Sequence, residues 1–369
     1  MKKFFCLVLT LFALTFSFKT HAVSAKSAVV INGDTGEIIY SKDADIRLPM
    51  ASTTKIMTAL LLCKYGNLEK EITVTEEMVK VEGTSMGLLA GDRVTLHDLL
   101  YGMLLCSGND SANAIAITLG GTIEGFAEMM NNKAKELNLA NTSFVTPSGL
   151  DAENHYTTAY ELALITKKAF EYTEFQKAVS SKTAVLSYGN PPYKRTLSNH
   201  NKLLKMYDDV VGVKTGFTKK SGRCLVSASR KDGKFIIAVT LNDKNDWADH
   251  RELLDIGLSS VSVRDVKSYS NSINILNGEK QRIDVLSDNM SISANGDAEI
   301  ITETYLPMFV YAPIGGNEII GYNVFYCNGN EIGRQEIKSS EDIKIKKQKK
   351  TEKIMQIFIC IFRSINERQ

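Results

Sequence analysis

Residues 49–64 read PMASTTKIMTALLLCK and contain the pattern Ser-x-x-Lys, in which Ser52 and Lys55 are three positions apart. The apolar residues that follow Lys55 predict a helix over residues 55–64. Residues three apart share a helix face, which would place the Lys55 amine over the Ser52 hydroxyl. A serine becomes a nucleophile when a base takes its proton, and a lysine with a lowered pKa can be that base. Taken alone the pattern is weak, because a helix-capping serine and a solvated lysine would also produce it.

A second polar motif, Ser107-Gly108-Asn109, lies between two predicted helices. The glycine permits a tight turn, so both flanking side chains can point into a cleft. There the Ser107 hydroxyl can shuttle a proton and Asn109 can bind an amide of a substrate. A helix end followed by a helix cap would give the same residues, so this motif is also weak by itself.

A third motif, Lys214-Thr215-Gly216, follows a short apolar stretch and predicts a strand beside a site. Lys214 can bind a carboxylate, and Thr215 can donate a hydrogen bond to it. The glycine lets a ligand approach the backbone closely. An ordinary polar edge strand is the alternative.

Around these motifs, the hydrophobic pattern predicts strands at both ends of a domain and helices between them. Strands are predicted over residues 28–32, 37–40, 224–230 and 234–241. Helices are predicted over residues 55–64, 96–105, 110–119, 123–137, 158–170 and 247–258. Because strands precede and follow the helices, the pattern indicates an α+β fold in which both ends of the domain meet in one sheet.

The helical periodicity stops after about residue 263. Short alternating stretches between Asn and Gly turns cover residues 272–276, 281–286, 299–304 and 319–324. This change predicts a small all-β domain over residues 263–338, after a first domain over residues 23–262.

The first residues are typical of an export signal. Lys2 and Lys3 precede an apolar stretch over residues 4–18, and small residues around Ala22 offer a cleavage site. An uncleaved anchor is the alternative, but the apolar stretch is short for a membrane span. We therefore expect residues 1–22 to be removed and the mature protein to work outside the cytoplasm.

The last segment, residues 339–369, combines basic and apolar sequence. Residues 341–369 hold eight basic and four acidic side chains, a net charge of +4, and an apolar run of nine residues covers 354–362. Such a run is too short to span a bilayer, but a cationic stretch beside it suits docking onto an anionic membrane surface. A solvated, frayed tail is the alternative.

The composition excludes several classes of protein. With 44 basic and 42 acidic side chains, the chain is not a strongly basic nucleic-acid binder. The five histidines never fall at paired ligand spacing, so neither a metal nor another cofactor is expected. We expect His155 and His200 to be structural and Trp247 to anchor the core. Removal of the export signal leaves an odd number of cysteines, several among apolar residues, and no obligatory disulfide is expected.

Together the three motifs match the set Ser-x-x-Lys, Ser-x-Asn and Lys-Thr-Gly of serine β-lactamases and penicillin-binding proteins. From residue 28 to residue 258 the chain resembles the low-molecular-mass penicillin-binding proteins that act as serine D-alanyl-D-alanine carboxypeptidases. Besides the motifs, the resemblance rests on residues 83–88, 98–104, 141–144, 149–151 and 155–159. Ser148 stands where relatives often have His, which affects no catalytic role.

The resemblance implies an antiparallel sheet flanked by helices with an all-helical subdomain, as in β-lactamases and transpeptidases, followed by a small all-β domain. It implies that Ser52 is the nucleophile, that Lys55 is the general base, and that Ser107 relays a proton to the leaving group. It also implies an oxyanion hole formed by the backbone amides of Ser52 and Phe217.

The substrate implied by the resemblance is a peptidoglycan stem peptide that ends in D-Ala-D-Ala. Asn109 would position this peptide, and Lys214 and Thr215 would hold its terminal carboxylate. β-Lactams would acylate Ser52 and act as covalent inhibitors. The enzyme would work at the outer face of the cytoplasmic membrane or in the cell wall.

Two other functions stay open at this point. A serine β-lactamase shares the motifs and commonly deacylates through a dedicated Glu. Glu136-Leu137-Asn138 superficially resembles part of such a motif, but it ends a predicted helix, and we expect it on the helix surface. A catalytically inactive cell-wall-binding protein is the other function, and the intact motifs argue against it.

Overall fold

The computed structural model describes residues 23–296 and 298–346. The predicted export signal over residues 1–22 and the tail from residue 347 onward lie outside these ranges. Within the described ranges, no helix is both long and apolar enough to cross a membrane.

A five-stranded sheet joins strands from the beginning and from the end of residues 23–262. Its strands are β1 (Ser27–Asn32), β2 (Ile38–Lys42), β7 (Val210–Thr218), β8 (Gly222–Lys231) and β9 (Lys234–Leu241). They are ordered β2-β1-β9-β8-β7, so β1 pairs with a strand about 200 residues later. Every residue of β1 is buried, as its apolar sequence SAVVIN requires. The prediction that both ends of the domain meet in one sheet is confirmed.

The helices lie between these strands in the sequence and around the site. They are α1 (Lys55–Tyr65), α2 (Glu76–Val79), α3 (Leu96–Leu105), α4 (Asn109–Gly120), α5 (Ile123–Glu136), α6 (Ala159–Ala169), α7 (Thr173–Ser180), α8 (Leu203–Met206) and α9 (Asp246–Ser260). Eight successive residues of α1, from its first residue onward, are buried. A helix that is buried on all sides lies at the centre of its domain, which explains how the lysine that begins α1 is kept from water.

Beside the helices lies a four-stranded sheet that the sequence analysis did not predict. Its strands are β3 (Glu71–Thr73), β4 (Arg93–Thr95), β5 (Thr183–Gly189) and β6 (Pro192–Ser198), in that order. The hairpin of β5 and β6 is mostly exposed, and it joins β4 through the long-range pair Arg93 and Gly189. An exposed hairpin and a distant strand pair leave no local hydrophobic pattern, which is why these strands were not predicted. The subdomain predicted to be all-helical therefore also contains strands.

The chain divides into two compact units. Among the described residues, the first comprises residues 23–30, 40–228 and 238–255, and the second comprises residues 31–39, 229–237, 256–296 and 298–346. Most of the second unit consists of β10 (Val261–Val266), β11 (Ser270–Leu276), β12 (Arg282–Leu286), β13 (Met290–Asn295), β14 (Ile300–Tyr305), β15 (Phe309–Tyr311), β16 (Ile319–Cys327) and β17 (Asn330–Ser339). The strands predicted after residue 263 are therefore confirmed.

Six of these strands form one sheet in the order β14-β16-β17-β12-β11-β15. Alternate residues of its strands pack into one apolar cluster, which contains Ile273, Ile275, Ile283, Val285, Ala312, Ile314, Ile337 and Ile343. On β11 and β12 the alternate residues of the opposite face are exposed, as period-two alternation predicts. On β16 and β17 that face holds a second buried cluster, with Phe325, Cys327 and Ile332. β10 and β13 form a separate antiparallel pair.

Candidate active site

Ser52 lies in a turn of 3₁₀ helix, Ala51–Thr54, that leads directly into α1. The Thr54 hydroxyl holds this turn by donating to the carbonyl oxygen of Ala51 at 2.8 Å. Ala51 has a φ of +48°, a conformation that non-glycine residues rarely adopt and that costs roughly 1–3 kcal/mol. The backbone is therefore strained immediately before the candidate nucleophile.

His155 fixes the same turn from another part of the chain. Its Nδ1 accepts a hydrogen bond from Val145 N at 3.0 Å, so the proton is on Nε2, which donates to Thr54 Oγ1 at 2.8 Å. Burial lowers the pKa of His155 to about 4, so the ring is neutral near pH 7. The prediction that His155 is structural is confirmed.

Lys55, the first residue of α1, is completely buried and connects two of the motifs. Its Nζ lies 2.9 Å from Ser52 Oγ, 2.7 Å from Asn109 Oδ1 and 2.6 Å from Ser148 O. Because the contact at position 148 is to the backbone oxygen, it does not depend on which side chain stands there.

Burial lowers the pKa of the Lys55 amine well below its usual value, and the charge of Lys214 lowers it further. A neutral amine has two N–H groups and one lone pair. The two N–H groups can donate to Asn109 and Ser148, and the lone pair then accepts the Ser52 hydroxyl proton. General-base activation of a serine requires this arrangement.

A loop over residues 82–88 positions the second motif. Ser107 has a φ of +60°, and Thr84 Oγ1 donates to its carbonyl oxygen at 2.6 Å. Asn109 donates from its backbone N to Thr84 O at 2.7 Å and from Nδ2 to Glu82 O at 2.7 Å. These bonds orient the Asn109 amide so that its oxygen meets the lysine amine.

Hydrogen bonds from α4 and from the β5–β6 hairpin hold the same loop. Asp110, at the beginning of α4, accepts hydrogen bonds from Ser85 Oγ at 2.6 Å and from the backbone N of Met86, Gly87 and Leu88 at 3.0, 3.1 and 3.0 Å. From the β5–β6 hairpin, Tyr188 OH donates to Met86 O at 2.7 Å, and Arg195 Nη1 donates to Gly87 O at 2.7 Å. The unpredicted sheet thus supports the loop that holds Ser107.

The third motif lies on β7, at the edge of the five-stranded sheet. Lys214 is nevertheless buried, its Nζ donates to Thr215 O at 2.8 Å, and burial lowers its pKa to about 7. A Cβ on Gly216 would lie 3.0 Å from Ser52 N. The glycine therefore lets the β7 backbone lie against the Ser52 turn without crowding it.

Four of the predicted site residues, Ser52, Ser107, Thr215 and Phe217, line one cavity of about 330 Å³. It is lined by Ser52, Thr84, Ser107, His200, Thr215, Gly216, Phe217, Arg223, Asp246 and Trp247. The other predicted residues, Lys55, Asn109 and Lys214, are buried and contact the site through the bonds described above. The motifs, which lie far apart in the sequence, therefore form a single site.

Part of the cavity wall was not anticipated from the sequence. Arg223 Nη2 donates to Asp246 Oδ1 at 2.9 Å, and its guanidinium lies 5.7 Å from the centroid of the Trp247 ring. The prediction that Trp247 anchors the core is wrong, because the side chain is only half-buried and lines the cavity. His200, expected to be structural, is exposed on the same wall. Arg223 could have been predicted to line the cavity only from its place at the start of β8, the strand that pairs with β7.

The residue considered for a β-lactamase, Glu136, does not line this cavity. Glu136 is exposed and forms ion pairs with Lys64 at 3.3 Å and Lys133 at 2.8 Å, so its prediction as a helix-surface residue is confirmed. In the described part of the chain, no group of three or more His, Cys, Asp or Glu side chains could hold a metal ion. The cysteines there are free thiols: Cys63, Cys106, Cys224 and Cys327.

Comparison with known proteins gives one consistent result. A family model described as D-alanyl-D-alanine carboxypeptidase matches residues 15–245. The D-alanyl-D-alanine carboxypeptidase DacF of Bacillus subtilis is 32% identical over 338 residues, which cover 88% of this chain and 87% of the relative.

Solved structures show the same fold. The DD-transpeptidase of Streptomyces K15 aligns with a TM-score of 0.62 at 30% identity, covering 64% of this chain and 98% of that one. The D-alanyl-D-alanine carboxypeptidase DacD of Francisella tularensis aligns with a TM-score of 0.63 at 25% identity, covering 88% and 95%. The predicted fold class, including the all-β region after residue 263, is confirmed.

Proposed function

The chain belongs to the D-alanyl-D-alanine carboxypeptidase family, and we propose that Ser52 is the nucleophile with which it removes the terminal D-alanine from peptidoglycan stem peptides. The enzyme is a serine peptidase, and its substrate ends in D-Ala-D-Ala. The observation that supports the role of Ser52 is the 2.9 Å contact between its Oγ and the buried Lys55 Nζ.

Acylation begins when Ser52 Oγ attacks the carbonyl carbon between the two D-alanines. The hydroxyl proton passes to the neutral Lys55 amine, and the carbonyl oxygen becomes an oxyanion. The backbone N–H groups of Ser52 and Phe217 stabilise it, and the close approach of β7 to the Ser52 turn at Gly216 supports this role. Removal of one such donor typically costs about 10²–10³ in rate.

The C–N bond then breaks, and the leaving D-alanine nitrogen needs a proton. Ser107 supplies it from its hydroxyl, which the protonated Lys55 replenishes. Water next attacks the ester on Ser52, gives its proton to Lys55 and releases the shortened peptide. The lysine returns that proton to Ser52 Oγ, so the enzyme leaves the cycle unchanged.

Binding of the substrate falls to the polar groups around the cavity. Asn109 positions the peptide through its side-chain amide, and Lys214 and Thr215 hold the terminal carboxylate. The buried Lys214 makes few competing contacts, so a carboxylate in the cavity would favour its charged form.

β-Lactams present a strained amide to the same nucleophile. Attack by Ser52 Oγ opens the ring, but the leaving nitrogen stays covalently attached to the acyl group. It therefore remains near the ester and hinders the approach of water. Penicillin binding follows from the same acylation step as peptide hydrolysis.

The enzymes of this family act on the cell wall, and we assign this chain to the outer face of the cytoplasmic membrane after export and removal of residues 1–22. We assign the tail over residues 339–369 to the membrane surface. Each lysine near an anionic bilayer contributes about 1 kcal/mol to such binding. The apolar run over residues 354–362, in which eight of nine side chains are apolar, would add burial at the interface without crossing it.

The activity is tested by measuring D-alanine release from a peptide that ends in D-Ala-D-Ala. The wild-type protein is expected to release D-alanine, and Ser52→Ala is expected to release none above the rate in buffer. Equal release by the two proteins would exclude Ser52 as the nucleophile, and no release by either would indicate an inactive wall-binding protein.

A further inference from the structure

One edge of the six-stranded sheet in the all-β region carries an exposed apolar patch. We call it the β15 patch, and it consists of Leu276 on β11, Phe309 and Tyr311 on β15, and Met308 just before β15. The exposed fractions of these side chains are 40%, 42%, 66% and 85%. Large apolar side chains grouped in this way usually mark an interaction site.

Strand pairing brings these residues together on one face. β15 runs parallel to β11, with Leu276 opposite Tyr311. Ile275 and Val310 point to the other face, where they pack in the apolar cluster. The rings of Phe309 and Tyr311 contact edge to face, with centroids 5.6 Å apart. The patch is therefore preformed by the pairing of the strands.

The described chain ends beside this patch. Lys346 N donates to Asn277 O at 2.9 Å, one residue after Leu276, and Glu279 N donates to Lys344 O at 2.9 Å. Within the described ranges, neither Lys344 nor Lys346 forms an ion pair with a carboxylate. Four more lysines follow in the sequence: Lys347, Lys349, Lys350 and Lys353.

The acidic residues near this point are Glu279, Glu341 and Asp342, and the side chains of the last two have partners. Glu341 forms an ion pair with Lys280, and Asp342 accepts a hydrogen bond from Gly316 N at 2.6 Å. Glu279 is exposed, so Lys280, Lys344 and Lys346 balance the three carboxylates here, and a net positive charge comes from the four lysines that follow Lys346 in the sequence.

We propose that the β15 patch is a second membrane-contact surface, which inserts into the interface of an anionic phospholipid bilayer beside the basic tail. Aromatic side chains favour this interface, and lysines are drawn to anionic headgroups. The apolar run of the tail is short, and the β15 patch would add apolar area to the membrane contact. This inference rests on the proposed docking of the tail, and the variants below separate the two.

The test is sedimentation of the full mature chain, residues 23–369, with vesicles of phosphatidylcholine and phosphatidylglycerol. The test variant combines Met308→Ser, Phe309→Ser and Tyr311→Ser. The control variant combines Ile301→Ser and Tyr305→Ser on β14, the opposite edge of the same sheet, where both residues are also exposed. We expect the test variant to lose about tenfold in vesicle affinity, the control to bind like the wild type, and both to keep D-alanine release.

The proposal is overturned if the test variant binds like the wild type or if the control loses as much. A chain that stops at residue 346 separates the tail from the patch. Loss of binding in that chain, together with full binding of the test variant, would leave the tail as the sole anchor. Stronger binding after truncation would mean that the tail covers the patch, which also overturns the proposal. Absence of D-alanine release in all proteins would contradict the enzymatic function alone.

Discussion

Lys55 Nζ and Asn109 Oδ1 lie 2.7 Å apart, although their residues belong to different helices and are 54 positions apart in the sequence. The contact gives the lysine one of its two N–H acceptors, and Ser148 O is the other. With both acceptors in place, the third direction around Nζ points to Ser52 Oγ. Asn109 therefore orients the Lys55 amine, in addition to the role in substrate binding that we propose for it.

The charge of Lys214 predicts a pH dependence of substrate binding. Its pKa is lowered to about 7, so the free enzyme loses this charge as the pH rises above about 7. We expect kcat/KM for a peptide ending in D-Ala-D-Ala to fall over this range. A charged hydrogen bond is worth about 1.5–3 kcal/mol, which corresponds to a loss of roughly 10- to 100-fold. A substrate with an amidated C-terminus is the control, and its profile should be flat there; a parallel fall would assign the pH dependence to another group.

His155 predicts a loss of stability in acid. Its pKa is about 4 in the folded protein, against 6.5 when unfolded, so the unfolded state binds more protons between these values. The free energy of unfolding should decrease as the pH falls from about 6.5 to 4, by about 3 kcal/mol from this residue.

Urea unfolding at several pH values measures this effect. His155→Asn should be less stable than the wild type at pH 7 but should lose less stability on acidification. His250, whose pKa burial lowers to about 3, contributes in the same direction and remains in the variant. Identical pH slopes for the two proteins would refute the role given to His155.

The position of Gly149 leads to a prediction about the Ser52 turn, against which its backbone packs closely. A Cβ at this position would lie 1.9 Å from the carbonyl oxygen of Ala51, and the backbone has a φ of +87°. Gly149→Ala should displace the Ser52 turn and slow acylation by penicillin about 10-fold or more. Gly91→Ala is the matched control, because Gly91 has a φ of +90° with open space around it. If both variants are slowed equally, the loss of acylation rate would come from backbone strain and not from crowding of Ala51. If Gly149→Ala is acylated as fast as the wild type, the predicted steric effect is absent.

Asp110 is expected to act on the reaction through the loop over residues 82–88. Asp110→Asn places an NH₂ group against N–H donors and should loosen the loop that holds Ser107. We expect kcat/KM for D-alanine release to fall about 10- to 100-fold in protein that remains folded. Asp92→Asn is the control, since buried Asp92 accepts a single loop bond, from Leu89 N at 2.9 Å. An equal loss in both variants would show a general effect of buried carboxylates.

The elements with strong local patterns could be predicted from the sequence. The buried helix α1 and the alternating strands after residue 263 carry their periodicity in a few neighbouring residues. The β5–β6 hairpin could not be predicted, because it is mostly exposed and joins its sheet through one distant pair, Arg93 and Gly189. Its contribution to the site, through Tyr188 and Arg195, was therefore missed as well.

The part of the site that consists of short sequence motifs could be predicted. Ser52, Ser107 and Lys214 each belong to a short pattern with a known chemical use. Arg223 and Trp247 belong to none, and their place in the cavity depends on strand pairing and on the start of α9. Side chains that enter a site only through tertiary structure leave no signal in the local sequence.

The central claim is that the buried Lys55 amine activates Ser52. The most direct measurement is time-resolved mass spectrometry of the intact protein and its peptides during reaction with penicillin. The wild-type protein should gain one penicilloyl group on the peptide that contains Ser52, and Lys55→Ala should be acylated at least 100-fold more slowly while remaining folded. An adduct on another residue, or equal acylation of folded Lys55→Ala, would contradict the account.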